Sequence, residues 1–208
     1  MENEIVKILR DNVSVIALTG FKGSGKDTIG DYLVKHHGYI RLAFGDPIKD
    51  ACRSIFSFNE KQLHGFKEKE IVDEYWGHTP RELFQMIGTE LFRMRLPELC
   101  KNMTDNIWVK SLVKKMYEIY VKDPKKNKKF VITDVRFPNE LNAMKDLAGT
   151  AIRVSRNVDS NEIKKFTNHA SEILISTFKV DYEIDNSFEL SQLHNNIEQI
   201  INRVDTII

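Results

Sequence analysis

The chain has 208 residues, enough for one domain with a buried core and a small inserted lobe. Its 31 lysines and arginines nearly balance 30 aspartates and glutamates, so the net charge favours neither a nucleic acid nor a membrane surface as a partner. Cys52 and Cys100 have no metal-binding spacing and are expected to be reduced thiols. Because the sequence contains no charged-then-apolar leader and no apolar run near ~20 residues, we expect a soluble, cytoplasmic protein.

The first informative segment is an apolar run followed by a glycine-rich turn. Residues 13–19 predict a buried strand, and residues 20–28 have the sequence Gly-Phe-Lys-Gly-Ser-Gly-Lys-Asp-Thr. Apolar residues at helical spacing begin at Ile29. In a phosphate-binding loop, backbone N–H groups and the positive end of the next helix face the same anion. Strand, turn and helix in this order are typical of such a loop, with Gly23, Ser24 and Gly25 cradling the phosphates.

The three residues after these glycines depart from the commonest form of this loop. Lys26 supplies a mobile cation for the β- and γ-phosphates, but Asp27 stands where a serine or threonine usually follows the lysine. The form Gly-Lys-X-Thr is similar to that of nucleoside monophosphate kinases. By that likeness, Thr28 is expected to face the phosphates and Asp27 to hold Mg²⁺ through water. A turn that binds nothing is the alternative, which the flanking strand, helix and lysine disfavour.

A second strand and a helix are expected next. Residues 39–44 form an apolar segment that predicts a strand, and Gly-Asp-Pro ends it. A helix is predicted at 48–56, because Pro47 suits the first helical turn and Asp46 can cap it.

Residues 57–78 are polar and lack periodicity, so they predict a mobile insertion. A helix with a clear start signal follows. Thr79 can cap it, Pro80 suits its first position, and Glu82 completes a capping box. Apolar residues at helical spacing continue this helix to residue 94.

The remaining elements alternate between helix and strand. The pattern predicts helices at 108–120, 138–147 and 188–204, strands at 130–133, 150–154 and 182–184, and polar connections at 122–129 and 155–172. Residues 1–11 predict a short helix or a loose arm. Such alternation indicates an α/β fold of three layers, with a mostly parallel central sheet and helices on both faces.

Ligands of such sheets bind beyond the carboxyl ends of the strands, so polar residues just after strands are site candidates. Asp134 and Arg136 follow the third predicted strand, and Arg156 follows the fourth. Asp134 is predicted to hold a metal through water. Arg136, Arg156 and Arg81 are predicted to neutralise the charge that moves during phosphoryl transfer. The alternative for Asp134 and Arg136 is a strand-end salt bridge, and for Arg81 a surface position.

Three further side chains are candidates for contact with a phosphate acceptor. Trp108 can stack on a base, although a core position is the alternative. Gln85, one turn beyond Arg81, can hydrogen-bond the edge of that base. Glu140 can hold Arg136 in position or face the sugar of the acceptor.

Six motifs in order along the chain resemble the deoxynucleoside monophosphate kinases of tailed bacteriophages, a P-loop family like other nucleoside monophosphate kinases. The motifs are the turn at 20–28, Phe-Gly-Asp-Pro-Ile-Lys-Asp at 44–50, Thr-Pro-Arg-Glu-Leu-Phe-Gln-Met-Ile-Gly-Thr-Glu at 79–90, Trp-Val at 108–109, Thr-Asp-Val-Arg-Phe-Pro-Asn-Glu at 133–140, and His-Ala-Ser-Glu at 169–172. Residues 57–78 match the family least, which leaves the base preference open.

The resemblance implies a kinase that moves the γ-phosphate of ATP, with Mg²⁺, onto a deoxynucleoside monophosphate. It implies one domain over 1–208, with 57–105 as an acceptor-binding insertion and 155–172 as a lid. It also implies a viral source, the host cytoplasm as location, and a homodimer. The implied site residues are Lys26, Asp27 and Thr28 for ATP and metal, Asn186 on the adenine side, Arg81, Gln85, Gly88 and Thr89 on the acceptor side, and Trp108, Asp134, Arg136, Glu140 and Arg156 around the reaction.

Two other classes of protein share parts of this pattern. The loop also resembles that of animal phosphomevalonate kinases, and dephospho-coenzyme A kinases share the implied fold. Trp108 and Gln85 favour a nucleotide as acceptor over either of those substrates. A nucleotide-binding module without catalysis is the remaining alternative, but three candidate arginines are more cations than nucleotide binding alone requires.

Overall fold

A computed structural model of the protein describes residues 2–124, 128–156 and 174–205. The chain divides into two compact units. We call residues 1–43 and 112–208 the sheet unit, and residues 44–111 the helical unit. The α-helices are α1 (Glu2–Asn12), α2 (Lys26–His37), α3 (Asp46–Phe56), α4 (Glu60–His64), α5 (Pro80–Gln85), α6 (Leu96–Leu99), α7 (Ile107–Lys122), α8 (Pro138–Asp146) and α9 (Leu190–Asp205).

Among the described residues, the sheet unit contains a sheet of five strands in the order β2-β3-β1-β4-β5, and every neighbouring pair is parallel. The strands are β1 (Val13–Thr19), β2 (Ile40–Leu42), β3 (Lys128–Val135), β4 (Thr150–Ser155) and β5 (Tyr182–Asp185). The predicted α/β fold with a mostly parallel sheet is thereby confirmed. The central position of β1 places the residues that follow it between the ends of β3 and β4.

A buried core cluster of the sheet unit lies on the face of the sheet that α2 and α9 cover. Ile16 and Leu18 of β1 pack there, with side chains from β3, β4 and β5. Ile29 of α2 and Ile197 of α9 belong to the same cluster and are fully buried. Because side chains alternate along a strand, Val15 points to the opposite face. Val15 is there close to Gly149, which follows α8, because a Cβ built on Gly149 would lie 3.1 Å from Val15 Cβ.

Strand β2 is shorter than the segment predicted at 39–44, so that boundary is wrong. The N–H of Tyr39 donates to the carbonyl of Leu33 at 3.3 Å, which bonds Tyr39 to the last turn of α2 rather than to a neighbouring strand. Gly38 has a φ of 68°, a left-handed conformation that ends this helix. The next helix also begins earlier than predicted. Asp46 is the first residue of α3 rather than its cap, which is Gly45.

The segment predicted to be irregular at 57–78 contains two short regular elements, which corrects the prediction. They are α4 and a 3₁₀ turn at Glu68–Glu70. Asn59 caps α4, because its Oδ1 accepts the N–H of Gln62 at 3.1 Å and the Gln62 side chain accepts the N–H of Asn59 at 3.0 Å. This capping box was the available signal, since five residues are too few to show helical periodicity.

The helix predicted at 79–94 begins as expected but does not continue as an α-helix. Thr79 Oγ1 accepts the N–H of Glu82 at 3.1 Å, and Glu82 Oε2 accepts the N–H of Thr79 at 2.8 Å. After α5 the chain forms a π-helix over Met86–Arg95 and then α6. The prediction of one continuous α-helix to residue 94 is therefore wrong. Apolar residues at spacings of three and four occur in both α-helices and π-helices, so the sequence pattern did not distinguish them. Leu83 of α5 and Ile87 at the start of the π-helix still pack in the core of the helical unit, together with Cys52, Phe58 and Leu63.

Both cysteines are free thiols, as predicted. Burial raises the pKa of Cys52 to about 11, which keeps this thiol protonated at neutral pH. Within the described ranges, none of the helices combines the length and the apolar character that a bilayer crossing needs.

Candidate active site

The carboxyl ends of the central strands bring several predicted site residues to one edge of the sheet. Thr19, the last residue of β1, pairs with Val135 of β3 on one side and with Arg153 of β4 on the other. The glycine-rich loop follows Thr19 directly. Asp134 lies at the end of β3, and Arg156, which is exposed, comes just after β4. These residues therefore leave adjacent parallel strands in the same direction.

Two glycines of the loop occupy positions that no other residue fits. Gly20 has a φ of 145°, and a Cβ built on it would lie 2.2 Å from the carbonyl oxygen of Val154. Gly25 has a φ of 106°, and its Cβ would lie 2.3 Å from Nδ2 of Asn186. Both the backbone angle and the close neighbours exclude a side chain. The loop is thus held against the end of β4 and the turn after β5.

Lys26 begins α2 and points its ammonium group back into the loop. Its Nζ donates to the carbonyl oxygens of Gly20 at 2.7 Å and Phe21 at 2.8 Å, and the residue is only 7% exposed. A buried ammonium group needs such acceptors. Phosphate oxygens carry formal charge and are stronger acceptors than carbonyls, so the same group can exchange these partners for a phosphate.

Asn186 contacts the glycine-rich loop through its side chain. Its Nδ2 donates to the carbonyl of Ser24 at 2.9 Å, while its own N–H donates to the carbonyl of Ser155 at 2.7 Å. The sequence suggested only a role beside adenine for this residue. Nothing in the sequence pointed to the loop contact, because Asn186 and Ser24 lie 162 residues apart. Asn186 therefore joins the ends of β4 and β5 to the loop.

We expect Asn186→Ala to weaken the binding of ADP by about fivefold, because one net hydrogen bond contributes roughly 1 kcal/mol. Isothermal titration calorimetry of the wild-type and variant proteins measures this difference. Asn12→Ala is a matched control, since Asn12 Nδ2 makes the same kind of bond, 2.8 Å to the carbonyl of Ile8, in α1. A dissociation constant within twofold of wild type for Asn186→Ala would show that the loop does not depend on this bond.

Asp27 and Thr28 are exposed in the first turn of α2. The carboxylate of Asp27 is 79% exposed and accepts a hydrogen bond from Arg41 of β2, which also donates to Asp31 at 2.6 Å. Across the described ranges no group of three or more histidine, cysteine, aspartate or glutamate side chains could hold a metal ion. Mg²⁺ takes most of its ligands from water and phosphates. An exposed carboxylate and hydroxyl at Asp27 and Thr28, together with half-buried Asp134, therefore fit a magnesium ion held through water.

The end of β3 contains an irregularity that the sequence did not reveal. The register of β3 against β1 shifts by one residue between Ile132 and Val135, as a β-bulge does. Asp134 lies in this shifted segment and is half-buried, whereas Thr133 is buried. Thr19 Oγ1 donates to the carbonyl of Val135 at 2.9 Å and joins the two strand ends.

Glu140 of α8 supports the backbone of this segment. Its Oε2 accepts the N–H of Arg136 at 2.8 Å and that of Phe137 at 3.1 Å, and the residue is 2% exposed. Of the two alternatives for Glu140, these bonds match the one in which it holds Arg136. The carboxylate orders the turn from which the Arg136 side chain extends.

The helical unit contains five of the residues that were predicted for the acceptor, namely Arg81, Gln85, Gly88, Thr89 and Trp108. Arg81 donates through Nε to the carboxylate of Glu70. Trp108 is buried, its Nε1 donates to the carbonyl of Gly88 at 2.8 Å, and its ring lies 5.3 Å from that of Phe92. Of the two alternatives for Trp108, this position is that of a core residue.

The other acceptor candidates differ in exposure. Gln85 and Thr89 are half-buried, and Gly88 is buried, with the place of its missing Cβ 2.6 Å from Ile48 Cδ1. That all of these residues serve the acceptor stays a prediction. His169, Glu172 and residues 157–172 of the predicted lid lie outside the described residues.

Comparison with known proteins identifies the family. The family model described as "Deoxynucleotide monophosphate kinase" matches residues 66–197. A protein of Acanthamoeba polyphaga mimivirus, named "Putative deoxynucleotide monophosphate kinase", is 34% identical over 194 residues, which cover 92% of this chain and 96% of that protein. The chain belongs to the deoxynucleotide monophosphate kinase family. It is accordingly a kinase, and the predicted resemblance is confirmed.

One solved structure supports the P-loop kinase fold of this family, and a second is a weaker likeness. Dephospho-CoA kinase from Campylobacter jejuni has a TM-score of 0.50 at 15% identity, covering 92% of this chain and 98% of that one. Shikimate kinase from Aquifex aeolicus covers the same shares, with a TM-score of 0.44 at 15% identity. The former likeness extends to the fold alone. The family model begins at residue 66, after the glycine-rich loop, so the role of that loop depends on its own geometry and sequence.

Proposed function

We propose that this protein is a deoxynucleoside monophosphate kinase that transfers the γ-phosphate of ATP to a deoxynucleoside 5′-monophosphate. The products are ADP and a deoxynucleoside diphosphate, a precursor for DNA synthesis. The observation that carries the proposal is the glycine-rich loop between the ends of β3 and β4, with the Lys26 ammonium group inside it. The family match over residues 66–197 supports a deoxynucleotide as the acceptor.

The donor side of the proposed site belongs to the sheet unit. Backbone N–H groups of Gly23, Ser24 and Gly25 are assigned to the phosphates of ATP, and Lys26 offsets the charge on the β- and γ-phosphates. The N–H of Ser24 donates to the carbonyl of Phe21 at 3.1 Å and would exchange this bond for a phosphate oxygen. Asn186 keeps this loop in place through its bond to the carbonyl of Ser24.

Asp27, Thr28 and Asp134 would hold Mg²⁺, mainly through its water shell. When bound, this ion supplies positive charge to the phosphate oxygens. The three side chains need only fix the water molecules around it. Their exposed or half-buried positions support this role, because hydrated ions require access from solvent.

Cations then stabilise the phosphoryl group during transfer. Arg136 and Arg156, after β3 and β4, are proposed to neutralise charge that passes from the donor to the acceptor. Arg81 is proposed to bind the acceptor phosphate. The bond from the Arg136 N–H to Glu140 Oε2 supports the first of these assignments, since it orders the backbone from which the Arg136 side chain extends.

The acceptor side is proposed to include Gln85, Gly88, Thr89 and Trp108. Trp108 is assigned a supporting role, because its ring nitrogen binds the carbonyl of Gly88. The lid at 155–172, the homodimer and the location in the host cytoplasm remain predictions that rest on the resemblance alone.

A panel of acceptors tests the proposed function. ADP production from ATP is measured with each deoxyribonucleoside and ribonucleoside monophosphate in turn, and with dephospho-coenzyme A and phosphomevalonate. We expect rapid ADP formation with at least one deoxynucleoside monophosphate and only background with the last two acceptors. Transfer to dephospho-coenzyme A or phosphomevalonate would show that the protein acts as another kind of P-loop kinase. Tight ATP binding without ADP formation from any acceptor would favour a non-catalytic module.

A further inference from the structure

Arg41 is bonded to two carboxylates on the first turns of α2. It lies on β2, donates through one terminal nitrogen to Asp27 Oδ1, and donates through the other to Asp31 Oδ1 at 2.6 Å. Asp27 directly follows Lys26 of the glycine-rich loop. The position at which this loop departs from the commonest pattern therefore has its own partner on a strand of the sheet.

Both the aliphatic part of the Arg41 side chain and its guanidinium group are constrained. A Cβ on Gly30 would lie 3.7 Å from both Cδ and Nε of Arg41, so the arginine runs close alongside α2. Arg41 pairs with Val131 of β3 in the parallel sheet, which fixes its backbone. An arginine with a fixed backbone, a neighbouring helix and two bonded carboxylates has little freedom to move.

We propose that Arg41 is a positioning residue that holds the Asp27 carboxylate in place for the hydrated Mg²⁺ of the bound nucleotide. This inference rests on the proposed function, in which Asp27 binds the water shell of that ion. Oδ1 of Asp27 takes the bond from Arg41. Oδ2 then accepts the water molecules, and the carboxylate does not have to be ordered at the moment of binding.

A guanidinium group beside a metal site could instead compete with the ion, so the local charge decides between the two roles. Asp31 supplies a second carboxylate to the same arginine, and the three side chains together carry one net negative charge. The arginine charge is thus offset before the ion arrives. Because both carboxylates are largely exposed, solvent weakens what repulsion remains, whereas the geometric restraint persists.

The test compares ADP affinity with and without Mg²⁺ by calorimetry, using the full chain. In Arg41→Gln we expect ADP affinity in EDTA to stay within twofold of wild type. The gain in affinity on adding Mg²⁺ should fall by about three- to tenfold, below the loss typical of residues that orient direct metal ligands. In an Asp27→Asn background the same substitution should change this gain no further, because the arginine acts through Asp27. Arg41→Lys, measured beside a thermal unfolding curve, replaces Arg41→Gln should the latter not fold.

Arg53→Gln is the matched control. Arg53 bridges Asp50 at 3.0 Å and Glu60 at 2.7 Å in the helical unit, the same arrangement on a different surface. We expect it to leave the Mg²⁺ gain at the wild-type value. Three results would overturn this inference while leaving the proposed function intact. The gain in ADP affinity on adding Mg²⁺ could be equal in wild type and Arg41→Gln, or larger in Arg41→Gln. Arg41→Gln could also reduce this gain as much in the Asp27→Asn background as in wild type. If wild type binds ADP but gains nothing from Mg²⁺, the proposed metal role fails and this inference with it.

Discussion

Lys26→Ala should lower kcat by a factor on the order of 10²–10³, because single charged or polar groups that stabilise transition-state charge contribute that much. The Lys26 ammonium group already lies inside the loop, 2.7 Å from the carbonyl of Gly20. Alanine removes the cation that offsets the phosphate charge, and no backbone N–H replaces a full positive charge. ADP production under saturating ATP and acceptor measures the loss.

The variant must also be shown to remain folded, since Lys26 bonds two loop carbonyls. Circular dichroism and a thermal unfolding curve provide this control, and we expect a modest loss of stability. Lys35→Ala is the matched control for Lys26→Ala, because this substitution removes the same charge from α2. Lys35 is exposed in the last turn of that helix, away from the glycine-rich loop. The Lys35→Ala variant should keep full activity. A Lys26→Ala enzyme with turnover within threefold of wild type would refute the assigned role.

The glycine-rich loop and the alternation of helix and strand were predictable because their signals are local. Residues 13–28 contain the strand, the glycines and the lysine in one continuous segment. The strands β1, β3, β4 and β5 were all expected near their observed places, and the parallel sheet followed from the alternation. Errors arose at boundaries, as at Tyr39, where the end of α2 takes the backbone N–H that a strand would have used.

Residues far apart in the chain explain most of what the sequence did not reveal. Arg41 binds Asp27 across 14 residues, and Asn186 binds the backbone of Ser24 across 162 residues. Neither pair has a spacing that sets it apart. Trp108 shows a different difficulty, because an amphipathic helix predicts a core tryptophan and a base-stacking one equally well.

The helical unit was the least predictable part of the chain for a related reason. Its elements are short: α4 has five residues and α6 has four. Short elements carry too few turns for periodicity to appear, so only their capping residues signal them. The π-helix over Met86–Arg95 had no signal of its own, since its side-chain pattern is that of an ordinary helix.

Glu140→Ala should reduce the free energy of unfolding by about 2–4 kcal/mol, because it leaves two half-buried backbone N–H groups without their acceptor. These donors belong to Arg136 and Phe137, at 2.8 and 3.1 Å from Oε2. The turn after β3 would lose its order, and the backbone that positions the Arg136 side chain would no longer be fixed. We therefore expect kcat to fall as well, by about tenfold or more, since misplaced catalytic groups are costly.

Glu140→Gln separates the two effects of this carboxylate. Glutamine keeps one oxygen that can accept both N–H groups, so most of the stability and of the activity should return with it. Glu82→Ala is a control for the loss of a helix-capping carboxylate, because Glu82 accepts the N–H of Thr79 at an exposed helix start. Urea unfolding curves and kcat are measured for all three variants. If Glu140→Ala were as stable as Glu82→Ala, the buried carboxylate would not be what orders the Arg136 turn.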